Sequence, residues 1–177
     1  MLGKAAKEAS AGFQPISLLP KLLPIYKQLL GDLKAAGAEW VQVDEPILVL
    51  DVAANHESAF QTAYSQLVPV SPSILLTTYY GRLDSNVNIV PKLGVAGLHI
   101  DLDRAPQQLG PVLEVVKNTN LVLSLGVVSG RNIWKADFAA AIKLGQQAID
   151  TSVPTASLLQ PPRRSSTPLS LSLPRRS

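Results

Sequence analysis

Apolar residues recur at three- and four-residue steps through Leu19, Leu22, Leu23, Tyr26, Leu29, Leu30 and Leu33, the stripe of one helix face, and Gly37 stands where a helix C-cap belongs. Pro24 falls inside that stripe, so it must lie near the first turn or kink the helix. Residues 40–43 read as a strand ending in Asp44-Glu45-Pro46, and a second helical stretch follows Asn55 with Phe60, Ala63, Tyr64 and Leu67 on one side. The alternation then repeats. Residues 74–80 are rich in β-branched and aromatic side chains and stop at Gly81, after which Val87, Val90 and Leu93 suggest a short helix. Residues 97–102 form the next strand, with Leu109, Val112, Leu113 and Val116 inward on its helix. Residues 121–128 form the last, closed by Ser129-Gly130, and Trp134, Phe138, Ala141 and Ile142 mark the helix beyond.

Short apolar strands separated by helical crossovers imply a parallel sheet covered by helices, because parallel neighbours need a long connection. The expected class is α/β with about four βα units. Periodicity does not decide between an open sheet and a closed barrel. In a strand covered by helices on one side, the helix-facing positions are apolar, and the two-residue alternation assigns the others to the opposite face. Leu98, Ile100 and Leu102 then face helices, leaving His99 and Asp101 on the inner face. The same argument turns Val41 and Val43 outward and Gln42 and Asp44 inward, and it puts Ser124 and Gly126 inward on the last strand.

After Ile149 the character changes. Residues 152–177 are dominated by Pro, Ser, Leu and Arg with no apolar period and no acid, so a domain over 1–150 and a disordered or foreign tail over 151–177 are expected. That tail carries Arg163, Arg164, Arg175 and Arg176, which turns a chain of formal charge +3 into a nearly neutral body once it is set aside. Nucleic acid is therefore not an expected partner, and a basic contact tail is the lesser reading of those arginines. At 46% hydrophobic and 16% charged, the chain has the composition of a soluble globular protein. No apolar run has membrane-spanning length and residues 1–12 do not resemble a secretory signal, so the cytoplasm is the expected compartment, with no membrane partner.

The sequence contains no cysteine, which excludes a disulfide framework, a thiolate nucleophile and a sulfur ligand for zinc. Phosphate-cradling glycine loops and a nucleophile elbow are absent as well. Asp44, Glu45, Asp101 and Arg131 lie at or just beyond strand C-terminal ends, where a barrel builds its sites, and His99 is flanked by carboxylates. Such a histidine could serve as a general acid or base, or hold a metal; equally, these groups could be hydrogen-bonded only to one another. Tyr79, Tyr80 and Trp134 are read as packing residues rather than stacking platforms.

Several stretches go beyond generic pattern. Leu19-Pro20, Val41-Gln42-Val43-Asp44-Glu45-Pro46, Leu75-Leu76-Thr77-Thr78-Tyr79-Tyr80-Gly81, Gly97-Leu98-His99-Ile100-Asp101-Leu102 and Leu123-Ser124-Leu125-Gly126-Val127-Val128 with Gly130-Arg131-Asn132-Ile133-Trp134 follow one another in a recognisable order. In that order they resemble successive strand motifs in the N-terminal domain of cobalamin-independent methionine synthase, over roughly residues 2–149. The resemblance implies a partial (β/α)8 TIM-type barrel with a disordered C-terminal tail. It implies, for the full-length family, two such barrels, methyl transfer to homocysteine from 5-methyltetrahydropteroyltriglutamate, and a zinc held in the C-terminal barrel.

The N-terminal barrel in that family resembles a duplicate that lost the metal site and buttresses the active barrel. No catalytic or metal-binding residue is therefore carried over, and no cofactor is expected in this chain. Asp44, Glu45, His99, Asp101 and Arg131 stand as candidate substrate contacts. Leu2-Gly3-Lys4 resembles the end of the third barrel strand and the later motifs supply the fourth to seventh, while the Ser-rich eighth is replaced near Asp150, as a frameshift or misread splice junction would do. The missing barrel portions are then the expected partners, and an isolated chain with open sheet edges is expected to aggregate or order only in part. The function expected is that of a methyltransferase fragment, inactive alone. The alternatives are a non-catalytic half-barrel that modulates a complete synthase and an unrelated small-molecule barrel using Asp44, His99 and Asp101.

Overall fold

The computed structural model describes residues 13–51, 54–130, 133–151 and 155–156. A 3-10 turn, Pro15–Leu18, leads into helix α1, Leu19–Ala35. Pro20 sits in the first turn of α1, where a missing N–H is tolerated, but Pro24 lies inside the helix. The helix ends on Gly37 at φ 89°, with Gly37 N donating to Lys34 O at 3.0 Å and Ala38 N to Leu33 O at 3.0 Å. That pair of bonds satisfies two terminal carbonyls and needs a left-handed residue, which glycine supplies without a Cβ clash.

Strand β1, Trp40–Asp44, is followed by a 3-10 turn, Pro46–Val49, that the sequence pattern does not announce. Helix α2, Ala54–Leu67, then buries Phe60, Ala63 and Tyr64 as the helical spacing requires. Strand β2, Ser73–Thr77, stops three residues short of the expected 74–80, because the chain turns at Tyr80, which adopts φ 73°. The short helix expected next is a ten-residue 3-10 helix, Asp84–Leu93, with Val87, Val90 and Leu93 buried. Pro91 inside it removes one backbone donor and disfavours the α region for the residue before it.

Strand β3, Gly97–Asp101, a 3-10 turn, Pro106–Gln108, and helix α3, Leu109–Val116, follow, with Leu109, Val112, Leu113 and Val116 buried on one face. Strand β4, Val122–Gly126, precedes helix α4, Phe138–Asp150, whose N-cap Asp137 accepts a hydrogen bond from Ala140 N at 3.0 Å. The expected helix is present, though one of its sequence markers falls outside it. Trp134 lies before the helix and is exposed, and Phe138 and Ile142 also face solvent, while Ala148 is the buried residue of α4. No described helix is long and apolar enough to cross a membrane.

The strands form one parallel sheet in sequential order β1 to β4, with a two-residue fifth strand, β5, Thr155–Ala156, beside Leu123 and Ser124. These two residues and Thr151 fall in the stretch assigned to the tail, whose other residues, like Leu2-Gly3-Lys4 and Arg131, lie outside the described residues. Ile74, Leu76, Leu98, Ile100, Leu123 and Leu125 point into the helix layer and are buried with Val90, Val112 and Val116. Each contributes about 1.5–3 kcal/mol of transfer free energy, so the outward face of β2 to β4 is the core. The expected α/β class with four βα units is observed. Among the described residues the sheet is open, with β1 paired on one side only.

Candidate functional site

The parallel register lines up Asp44, Thr77, His99 and Ser124 in one row across β1 to β4, and all four point to the face opposite the helices. Asp101 and Gly126 stand one step nearer the strand C-terminal ends. The expected convergence of polar groups on the inner face is therefore real. Its chemistry is set by how those groups bond. His99 is only 2% exposed, and its Nδ1 lies 2.8 Å from the Oγ of fully buried Ser124, one of the two donating according to the imidazole tautomer. The Tyr79 ring packs at 5.8 Å from the imidazole, and the Tyr79 hydroxyl accepts from Gln42 Nε2 at 2.7 Å. Gln42 Nε2 also donates to Asp44 Oδ1 at 2.7 Å. Burial lowers the His99 pKa to about 4, against the opposing pull of Asp101 and Asp44. The imidazole is neutral at pH 7.

Gly126 makes this packing possible. A Cβ there would come within 3.0 Å of His99 Nε2 and 3.0 Å of the Ile100 carbonyl oxygen, and the second of these is backbone that cannot swing aside. Gly126→Ala is expected to destabilise the chain by about 1–3 kcal/mol through overpacking. Chemical denaturation checks this, and an unchanged midpoint would mean β3 and β4 separate more easily than the ladder allows.

Asp101 is committed to the backbone. Its Oδ2 accepts from Tyr80 N at 3.0 Å and its Oδ1 from Arg104 N at 2.9 Å, which holds Tyr80 in its left-handed conformation. Gln108, buried and not singled out by any motif, ties the same corner: its Nε2 donates to Asp101 O at 2.9 Å, and Leu83 N donates to its Oε1 at 3.3 Å. Asn86 plays a similar part, its Nδ2 donating to Leu48 O at 2.8 Å and Leu50 O at 2.7 Å. Asn86 follows Ser85 and Gln108 follows Gln107, so no apolar bracket marks either in the sequence, and long-range backbone partners leave no local pattern.

Glu45 points the other way. It is buried on the helix side, where Tyr64 Oη donates to its Oε1 at 3.1 Å. Burial, reinforced by the Glu45 carboxylate, pushes the Tyr64 hydroxyl far above the ordinary tyrosine range. The structure thus groups Asp44, His99 and Asp101 on the inner side and separates Glu45 from them. Tyr79 packs as expected, whereas Tyr80 and Trp134 are exposed. For zinc, tetrahedral coordination by His, Cys and carboxylate needs at least three such groups together, and no described trio of His, Cys, Asp or Glu is so placed. The described residues do not fit the metal.

Residues 1–152 match the family model described as cobalamin-independent synthase, N-terminal domain. A 5-methyltetrahydropteroyltriglutamate–homocysteine methyltransferase of Candida albicans is 51% identical over 150 residues, which is 84% of this chain and 19% of that protein. A protein of the same name from Rhodopseudomonas palustris is 52% identical over 136 residues, 76% of this chain and 17% of its own length. A probable enzyme of that name from Schizosaccharomyces pombe is 46% identical over 148 residues, 84% of this chain and 19% of its own. The chain spans less than a fifth of the length of these relatives.

Proposed function

From the premise that this chain belongs to the cobalamin-independent synthase family and carries part of its N-terminal domain, we propose that it is a supporting portion of a methyltransferase that makes methionine from homocysteine. In this reading 5-methyltetrahydropteroyltriglutamate is the donor, zinc belongs to the full-length enzyme, and the cytosol is its compartment. The TIM-type barrel is completed by strands beyond the four full-length ones. What supports a supporting role rather than a catalytic one is the His99–Ser124 pair: the most chemically capable side chain of the inner face is buried, neutral and bonded within the chain.

Methyl transfer to a thiol needs a thiolate acceptor, and metal coordination is one way to generate it at neutral pH. Among the described residues, no group on the inner face is placed to do that work. Incubating the purified chain with homocysteine, the folate donor and zinc is expected to yield no methionine above a protein-free control. Turnover above that control would overturn the supporting role. Of the candidate substrate contacts, Asp44 remains the best placed, since it is exposed at the strand end while both Asp101 carboxylate oxygens accept from backbone N–H groups and His99 is buried against Ser124.

A further inference from the structure

Among the described residues, Tyr80 and Asp84 are the non-glycine positions with left-handed backbone, at φ 73° and 45°, and they bracket one loop after β2. That conformation crowds Cβ against the following carbonyl, so it persists only where the surroundings over-determine it. Here they do. Asp101 Oδ2 holds Tyr80 N, Gln108 Nε2 donates to Gly81 O at 3.3 Å while its Oε1 accepts from Leu83 N, and the Leu83 side chain is buried. A Cβ added at Gly81 would stand 3.3 Å from Val49 Cβ, so the loop is tightly packed on that side too. These anchors come from β3, from the turn after it and from the turn after β1.

The ring that this rigid corner presents is not spent on the core. Tyr80 is 60% exposed, backed by the Tyr79 ring at 5.8 Å, and it lies at the strand C-terminal end, where barrels bind their small molecules. Packing accounts for Leu83, but not for an aromatic ring left largely in water on backbone that glycine adopts more easily. A ring held rigidly and exposed is what binding sites use as an anchor. We propose that Tyr80 is an aromatic contact for the methyl donor, its ring stacking on the donor's pteroyl group. The inference rests on the methyltransferase reading, and chemistry selects between the two substrates of that reading. Homocysteine is aliphatic and offers nothing to stack, whereas the pteroyl group carries a pterin and a benzoyl ring.

The test titrates the full chain, labelled with fluorotyrosine, with 5-methyltetrahydropteroyltriglutamate and follows the fluorine resonances of its four tyrosines. The Tyr80 signal, identified by its loss in Tyr80→Phe, is expected to shift saturably while those of Tyr26 and Tyr64 stay in place. Triglutamate without the pteroyl group is expected to leave it unmoved. No shift, a shift shared by all four tyrosines, or an equal shift with triglutamate overturns the proposal. By calorimetry, Tyr80→Phe keeps the ring and should bind the donor within about twofold of the parent chain, whereas Tyr80→Ala and Tyr80→Gly should bind about tenfold more weakly or worse. Both truncations lose the ring but only glycine relieves the backbone, so the urea midpoint of Tyr80→Gly is expected above that of Tyr80→Ala. Unchanged affinity in either truncation, weak binding by Tyr80→Phe, or a glycine variant no more stable than the alanine one also overturns it. Absent binding leaves the supporting role standing, while methionine formed by the chain alone sinks that role, so the two failures are told apart.

Discussion

Leu98→Ala is expected to lower the unfolding free energy by about 3 kcal/mol, seen as a fall in the urea midpoint at unchanged slope. Leu98 is fully buried at the second position of β3, which is hydrogen-bonded to β2 on one side and β4 on the other. The truncation removes several buried carbons, and strands tied on both sides cannot move in to close the space, so a cavity term adds to the lost transfer energy. Ile25→Ala is the contrast: Ile25 is 63% exposed on α1, and a change within about 0.5 kcal/mol is expected there. Equal effects at the two positions would mean the sheet is not the cooperative core of the chain.

Acid should weaken the fold through His99. In the folded chain its pKa is about 4, whereas an unfolded histidine titrates near 6.5. Between those values the unfolded chain holds the extra proton, so stability rises with pH across that window. Sign and extent follow directly: the contribution is complete above pH 6.5, is lost as pH falls toward 4, and changes no further below it. The gap corresponds to about 3 kcal/mol. His99→Gln keeps a side chain that can bond Ser124 but does not titrate, so its stability curve should be flatter by that amount between pH 6.5 and 4. Carboxylates titrate in both proteins and cancel in the difference. Parallel curves for the two proteins would show that His99 is not buried as a neutral group.

The outward faces of the strands were legible because a single rule governs them. Leu98, Ile100, Leu123 and Leu125 are apolar at every second position, and water is excluded from the side that the helices cover. The same rule put His99 and Ser124 on the opposite face. It could not say that they bond to each other at 2.8 Å, since that depends on the register of β3 against β4. Glu45 shows the limit most clearly. It follows Asp44 at a strand end, but the 3-10 turn over Pro46–Val49 sends its carboxylate to Tyr64 in the helix layer. Tyr80 and the end of β2 escaped because no propensity announces a non-glycine residue at φ 73°, which is held by Asp101 from the next strand.

α4 forms where the spacing predicts a helix, but what its apolar face meets was not legible. Phe138 and Ile142 share a helical face as the spacing requires, but periodicity reports a common face and not what it meets, and in the structure that face meets solvent. Local chain chemistry therefore determined the element types, the α/β class and the two sides of each strand, since those follow from side-chain spacing along one segment. The pairing of His99 with Ser124 and the diversion of Glu45 were decided by tertiary packing alone, because each joins residues whose separation in sequence carries no information about their distance in space.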